Sequence, residues 1–228
     1  MSELSHRWDL TPTEAVALQK ELRAQLVLQP PPGFAPRLVA GADVSMDKGS
    51  DVAYAGLVVI DATTMETVDQ ATVTAPLTFP YVSGLLSFRE IPPVHAAWER
   101  LGTRPDVVIF DGAGYAHPRR FGLACHAGML LGVPTVGCAK TILVGTHGPL
   151  GTERGSAAPL VHKGETVGMA VRLRDAVTPV YVSPGHLMDL ETAVRVVLSM
   201  GTGFREPETT RRAHRLVNAE RKRAGVRR

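Results

Sequence analysis

The chain has 228 residues, 44% of them hydrophobic and 21% charged, with a net charge of +3. That balance excludes fibrous, disordered and membrane-spanning classes, and 22 glycines with 17 prolines imply many turns without reaching a low-complexity composition. Two cysteines, Cys125 and Cys138, are too few for a disulfide framework or a cysteine-rich zinc site. No run approaches the ~18 apolar residues of a membrane span and residues 1–9 hold no apolar signal segment, so a cytoplasmic protein is expected.

In chain order, Thr11-Pro-Thr-Glu14 has the N-cap, first-turn proline and N3 acid of a helix start, and Leu18, Leu22 and Leu26 recur every four residues. The spacing predicts an N-terminal helix over 12–28, stopped by Pro30-Pro-Pro-Gly33. Strands are expected at 38–44, 52–60 and 67–75, with connections short enough for an antiparallel meander. A loop follows at Phe79-Pro-Tyr-Val-Ser-Gly84, then a helix carrying Val94, Ala97, Trp98 and Leu101, and a buried strand at 107–110 that ends on Asp111-Gly-Ala-Gly114. A helix over 121–132, a strand at 134–139, strands near 165–173 and 179–183, and helices over 188–200 and 206–224 complete the reading. Three meandering strands followed by alternating helices and parallel strands argue for one α/β domain spanning 1–228, a mixed sheet with helices on both faces. A chain this long buries about 70% of its unfolded surface and needs no metal or disulfide staple.

Charge is uneven. Residues 211–228 hold eight basic side chains against Glu220, a surplus of +7 that leaves residues 1–210 at −4. The basic C-terminal tail, 219–228 at its end, reads equally as a phosphate-binding arm or as a solvated segment.

Several residues carry chemistry. Asp43 interrupts the apolar strand Leu38-Val-Ala-Gly-Ala-Asp-Val44, where a carboxylate is costly unless paired or bound to a metal. Asp111 stands where the strand 107–110 runs out, the place where open sheets gather ligand groups. Together they suit one Mg²⁺ or Mn²⁺; separately they read as a salt-bridged core acid and a turn residue. Glu90 closes Ser87-Phe-Arg-Glu90, a capping-box pattern, so it serves a helix start, a metal or both. His214 faces inward only if its helix turns that way. His117-Pro-Arg-Arg120 reads as a phosphate site or as a loop ion-pair cluster, and Lys140, at a strand end, as a phosphate ligand or a neutraliser of nearby acids. There is no Gly-x-Ser-x-Gly elbow, no Walker motif and no complete dinucleotide fingerprint.

These motifs together resemble the endonuclease V family, deoxyinosine 3′ endonucleases with a ribonuclease H-like fold. The matching stretches are Gly41-Ala-Asp-Val44, Pro80-Tyr-Val-Ser-Gly84 with Leu86-Ser-Phe-Arg-Glu90, Phe110-Asp-Gly-Ala-Gly114, His117-Pro-Arg-Arg-Phe-Gly122, Val133-Pro-Thr-Val-Gly137 with Ala139-Lys140, and Glu206-Pro-Glu-Thr-Thr210 with His214. The resemblance implies metal binding by Asp43 and Asp111, completion of the acidic site by Glu90 and His214, and Lys140 near the scissile phosphate. It also implies Tyr81 as a wedge at the lesion, with Pro80, Gly84, Gly112, Gly114, His117 and Arg119 along the DNA. The implied reaction is hydrolysis of the second phosphodiester bond 3′ to the deaminated base, leaving 3′-hydroxyl and 5′-phosphate ends. Mg²⁺ is the implied cofactor, with Mn²⁺ as substitute; the partner is deoxyinosine-containing DNA, no membrane is involved, and a monomer is expected. Ser83 replaces a usual second proline in the wedge loop, and Ala113 replaces a usual polar residue, leaving the backbone amides of Gly112 and Gly114 as expected donors. The alternatives are a nuclease of the same fold acting on inosine-containing RNA or branched nucleic acid, and a non-catalytic binder that uses the basic tail.

Overall fold

The computed structural model describes residues 6–226; residues 1–5 and 227–228, the latter holding the final two arginines of the expected tail, lie outside it. Strands β1 (Leu38–Met46), β2 (Val52–Asp61) and β3 (Thr67–Pro76) form the antiparallel meander. Strands β4 (Val107–Phe110) and β5 (Thr135–Ala139) then extend the sheet in parallel from β1. Beyond β5 the sheet turns antiparallel again through β6 (Thr146–His147), β7 (Ala157–His162), β8 (Glu165–Val171) and β9 (Val180–Pro184), in the spatial order β3-β2-β1-β4-β5-β9-β8-β7-β6. The parallel part is thus confined to the three central strands.

Helices cover both faces. On one, α2 (Leu86–Trp98) and α3 (Leu123–Leu131) bury Ile91, Val94, Ala124 and Ala127 against Ala40, Ala42, Leu57 and Phe110. On the other, α4 (Leu190–Ser199) packs Val196 and Val197 on Val107, Ile109 and Val182, and α5 (Glu208–Val226) packs Ala213 on Val58 and Ile60. Alternation along β1 therefore sends Ala40 and Ala42 to one face and Val39, Gly41 and Asp43 to the other. Fully buried Leu57 and Phe110 each contribute about 1.5–3 kcal/mol to that core. At Gly41 a Cβ would strike the backbone of Thr209, so the bare glycine lets the start of α5 lie directly on β1.

Several boundaries differ from expectation. Helix α1 (Pro12–Arg23) has the predicted capping box but stops at Ala24, well short of 28. Residues 24–28 uncoil because Val27 gives its carbonyl to Leu187 N, and Leu26 and Leu28 pack beside Tyr115 and Val167. Strands β6 and β7 were not expected; Pro159, within β7, is tolerated beside an irregularity in register at Leu160/Val161. The expected capping box at Ser87 is absent: α2 begins two residues earlier, its N-cap is Leu85 without a side-chain bond, and Ser87 Oγ instead pairs with His126 Nδ1 at 3.1 Å. The basic stretch from 219 is, as far as Val226, the end of α5. Cys125 and Cys138 are buried free thiols, one in α3 and one in β5. Among the described residues no helix is long and apolar enough to cross a membrane.

Candidate active site

The parallel pairing of β1 with β4 ends at Ala42 opposite Phe110. Asp43 is the next residue on β1 and Asp111 the first residue after β4, so both stand where the pairing of the two strands ends. Glu90 enters from α2 on one face and His214 from α5 on the other, and all four converge on this edge. His214 Nδ1 lies 2.8 Å from Asp43 Oδ2. Lys140, the residue after β5, places Nζ 2.6 Å from Asp111 Oδ2 and 3.2 Å from Glu206 Oε2.

Three carboxyl groups crowded in a partly dry corner resist ionisation. Burial raises the pKa of Asp43, the charge of Asp111 adds to this, and the bond from His214 works against it. Burial likewise raises Asp111, offset in part by Lys140. Glu90 is pushed up to about 8, first by burial and then by the charges of Asp43 and Asp111. Burial opposes the charge on Lys140, but Asp111 and Glu206 outweigh it and hold its pKa high. Hard oxygen donors whose charges repel one another are what a divalent cation neutralises, and in donor chemistry the residues fit Mg²⁺ or Mn²⁺. Among the described residues no three such groups are already drawn onto a single point; the ammonium of Lys140 occupies Asp111 instead.

Next to the carboxylates, Pro80 and Tyr81 project from the loop between β3 and α2, with Tyr81 76% exposed. Beneath Tyr81 lies a pocket of about 460 Å³ including its open mouth, walled by Ser83, Gly84, Leu86, Ser87, Ala113 and Leu143. Besides the bond from Arg89 Nη1 to the Phe79 carbonyl, three donors meet at one atom of the loop. The Gly84 carbonyl accepts from Gln19 Nε2 (3.0 Å), His117 Nε2 (2.9 Å) and Arg119 Nη2 (2.7 Å). Arg119 Nε also donates to Gln19 Oε1 at 2.6 Å, which joins two of the three donors to one another. Gly84 has φ +77°, and an added Cβ would lie 2.9 Å from Arg119 Nη2, so only glycine fits without strain. Burial lowers the pKa of His117 to about 4; neutral, it donates from Nε2 and accepts the Arg119 amide at Nδ1.

Neutral His117 and the Arg119 cation thus brace the loop, while Arg120 pairs with Glu165 at 2.7 Å, as in the ion-pair alternative. The amides of Gly112 and Gly114, expected as open donors, are both engaged: Gly112 N bonds to Phe110 O and Gly114 N to Ser183 Oγ, each at 2.9 Å. Gly114 instead permits close packing, since a Cβ there would strike Pro184 O. Sequence reasoning missed Gln19 and gave Glu206 no role. A glutamine beside the Leu18 and Leu22 stripe was the one signal for the first; Glu206 entered only as the first residue of the matching stretch Glu206-Pro-Glu-Thr-Thr210.

An acidic centre at the carboxyl ends of adjoining parallel strands, in a mixed sheet with helices on both faces, defines an α/β enzyme of the ribonuclease H-like kind. A family model for endonuclease V matches residues 20–215. The endonuclease V of Myxococcus xanthus is 64% identical over 219 residues, 96% of this chain and 93% of that one. The crystal structure of endonuclease V from Streptomyces avermitilis superposes with a TM-score of 0.89 at 45% identity, covering 98% of both chains. That of Ciona intestinalis endonuclease V, in complex with a 24mer DNA containing an inosine followed by a ribo-adenosine, gives 0.81 at 29% identity over 93% of this chain and 98% of that one. The chain belongs to the endonuclease V family, and it is a nuclease.

Proposed function

We propose that the protein nicks DNA at the second phosphodiester bond 3′ to deoxyinosine, with Mg²⁺ as its cofactor and Mn²⁺ as substitute, leaving 3′-hydroxyl and 5′-phosphate ends. The observation that carries this reading is the meeting of Asp43, Glu90 and Asp111, from three distant segments, beside a pocket roofed by an exposed tyrosine. The inosine-containing DNA held by the Ciona relative supports the substrate class.

Asp43 and Asp111 are the residues that would hold the cation, with Glu90 completing the acidic set. A divalent ion bound there supplies Lewis acidity toward the phosphate and eases ionisation of water. Lys140 places a fixed positive charge at the same edge, suited to offsetting charge that develops on the phosphate as water attacks phosphorus and the bond to O3′ breaks. Tyr81 fills the stack vacated by an extruded nucleotide, an interaction worth about 1–3 kcal/mol. The first turn of α2 has no side-chain cap, and its amides at Leu86 and Ser87 border the pocket. Such donors suit the hypoxanthine carbonyl and disfavour adenine, whose amine in that position leaves them unpaired.

The test is a duplex with a single deoxyinosine, incubated with Mg²⁺, Mn²⁺ or EDTA, beside adenine-containing and RNA counterparts. Divalent-dependent cutting immediately 3′ of the lesion's 3′ neighbour is expected. Equal cutting of the adenine duplex, or none with either metal, would refute the assignment; preference for the RNA strand would move it to inosine-containing RNA.

A further inference from the structure

Behind His214 stand Asn218, one turn later on α5, and Ser45, two residues after Asp43 on β1. Their hydrogen bonds have one consistent solution. The carbonyl oxygen of His214 can only accept, so the Asn218 atom 2.8 Å from it is the amide nitrogen Nδ2. The amide oxygen then faces Ser45 Oγ, which donates to it at 2.9 Å. The other Nδ2 hydrogen points at His214 Nε2, 3.0 Å away. A donor aimed at Nε2 requires a lone pair there, so the ring proton resides on Nδ1 and is donated to Asp43 Oδ2 at 2.8 Å.

We propose that Asn218, braced by Ser45, is a positioning residue that locks His214 in its Nδ1–H tautomer and makes it a fixed donor to Asp43, not a base that takes a proton from water. This rests on the active-site reading above and sharpens it. With Nε2 covered by the Asn218 amide, the ring has no free lone pair to offer a water molecule. With Nδ1–H bound to one oxygen of Asp43, the carboxylate is held in orientation. The arrangement is the outer-partner logic by which a second hydrogen bond sets which imidazole nitrogen carries the proton. Ser45 matters because its hydroxyl holds the amide oxygen in place, while the His214 carbonyl decides which way the amide faces.

The experiment is ¹⁵N spectroscopy of histidine-labelled full-length protein in EDTA at pH 8, with the His214 signals assigned from their loss in His214→Gln. A protonated Nδ1 and a bare Nε2 are expected. In Asn218→Asp the carboxylate can only accept, so the proton should appear on Nε2. Ser45→Ala removes one anchor of the amide and should broaden the His214 signals while the proton stays on Nδ1, since the His214 carbonyl still orients the amide, and Ser45→Thr should restore the sharp form. On a deoxyinosine duplex, Asn218→Asp should lower kcat about tenfold, of the order of one lost hydrogen bond, with KM nearly unchanged. A proton on Nε2 in the unaltered protein, or a His214 spectrum indifferent to both Asn218→Asp and Ser45→Ala, would overturn the lock. The spectra need no substrate, so failure of the unaltered protein to nick would count against the deoxyinosine assignment alone.

Discussion

Glu90→Gln is the most informative single change, because it separates the electrostatic burden of the acidic centre from its chemistry. The Glu90 carboxyl is raised from 4.5 to about 8 in the folded protein. The folded state therefore binds the proton more tightly than the unfolded state does, and stability contributed by the protonated acid is lost as pH rises through the window between these values. At about 1.4 kcal/mol per pH unit, the full cost of ionising the folded group is on the order of 5 kcal/mol, reached above pH ~8. The interval from pH 7 to 9 isolates the last part of that cost. There the linkage relation gives a loss on the order of 1 kcal/mol from Glu90, while His117, with its pKa lowered to about 4, stays neutral in the folded state. Urea unfolding in EDTA at pH 7 and pH 9 measures it. The unaltered protein should show the loss, Glu90→Gln should show little of it and should be the more stable of the two at pH 9, and the variant should fail to nick with Mg²⁺. A flat profile for the unaltered protein, or an equal slope in the variant, would show that Glu90 is not held protonated by its neighbours.

Three further outcomes follow from the geometry. Tyr81→Ala should leave the urea midpoint unchanged, since the ring is 76% exposed, while weakening binding to a deoxyinosine duplex about tenfold, as a stacking contribution of ~1–3 kcal/mol implies; unchanged affinity would remove the wedge role. Gly84→Ala should cost about 2–3 kcal/mol, from left-handed backbone strain of ~1–2 kcal/mol and one disturbed hydrogen bond near Arg119; a stability loss under ~0.5 kcal/mol would contradict the anchoring of the loop at its carbonyl. Asp111→Asn should abolish divalent-dependent nicking with the far-ultraviolet circular dichroism of the unaltered protein, and retained activity in Mg²⁺ would exclude Asp111 as a cation ligand.

Much of this was legible beforehand. A carboxylate inside the apolar run around Asp43 and another where the strand before Asp111 gives out are anomalies that burial cost alone makes visible, and the meander at 38–75 follows from alternation and turn residues. Glu90 was ambiguous, because Ser87-Phe-Arg-Glu90 matches a capping box; the helix start at Leu86 and the bond from Ser87 to His126 removed that reading. The four-residue leucine spacing through Leu26 overran the true end of α1, since a helical period cannot reveal that Val27 is needed by Leu187 on a remote loop.

Local order along the chain determined which segments become helix or strand and which residue types are out of place, because propensity, capping and apolar periodicity act over a few neighbours. Only the tertiary structure decided who faces whom. That Gln19 of the first helix joins His117 and Arg119 on one carbonyl, that Lys140 sits between Asp111 and Glu206, and that Ser45 of β1 meets Asn218 of α5 are contacts across up to 173 positions of sequence. Hydrogen bonds and charge pairs of that kind depend on distances of about 3 Å, which exist only once the sheet order and the close packing at glycines such as Gly41 have brought the strands and helices together.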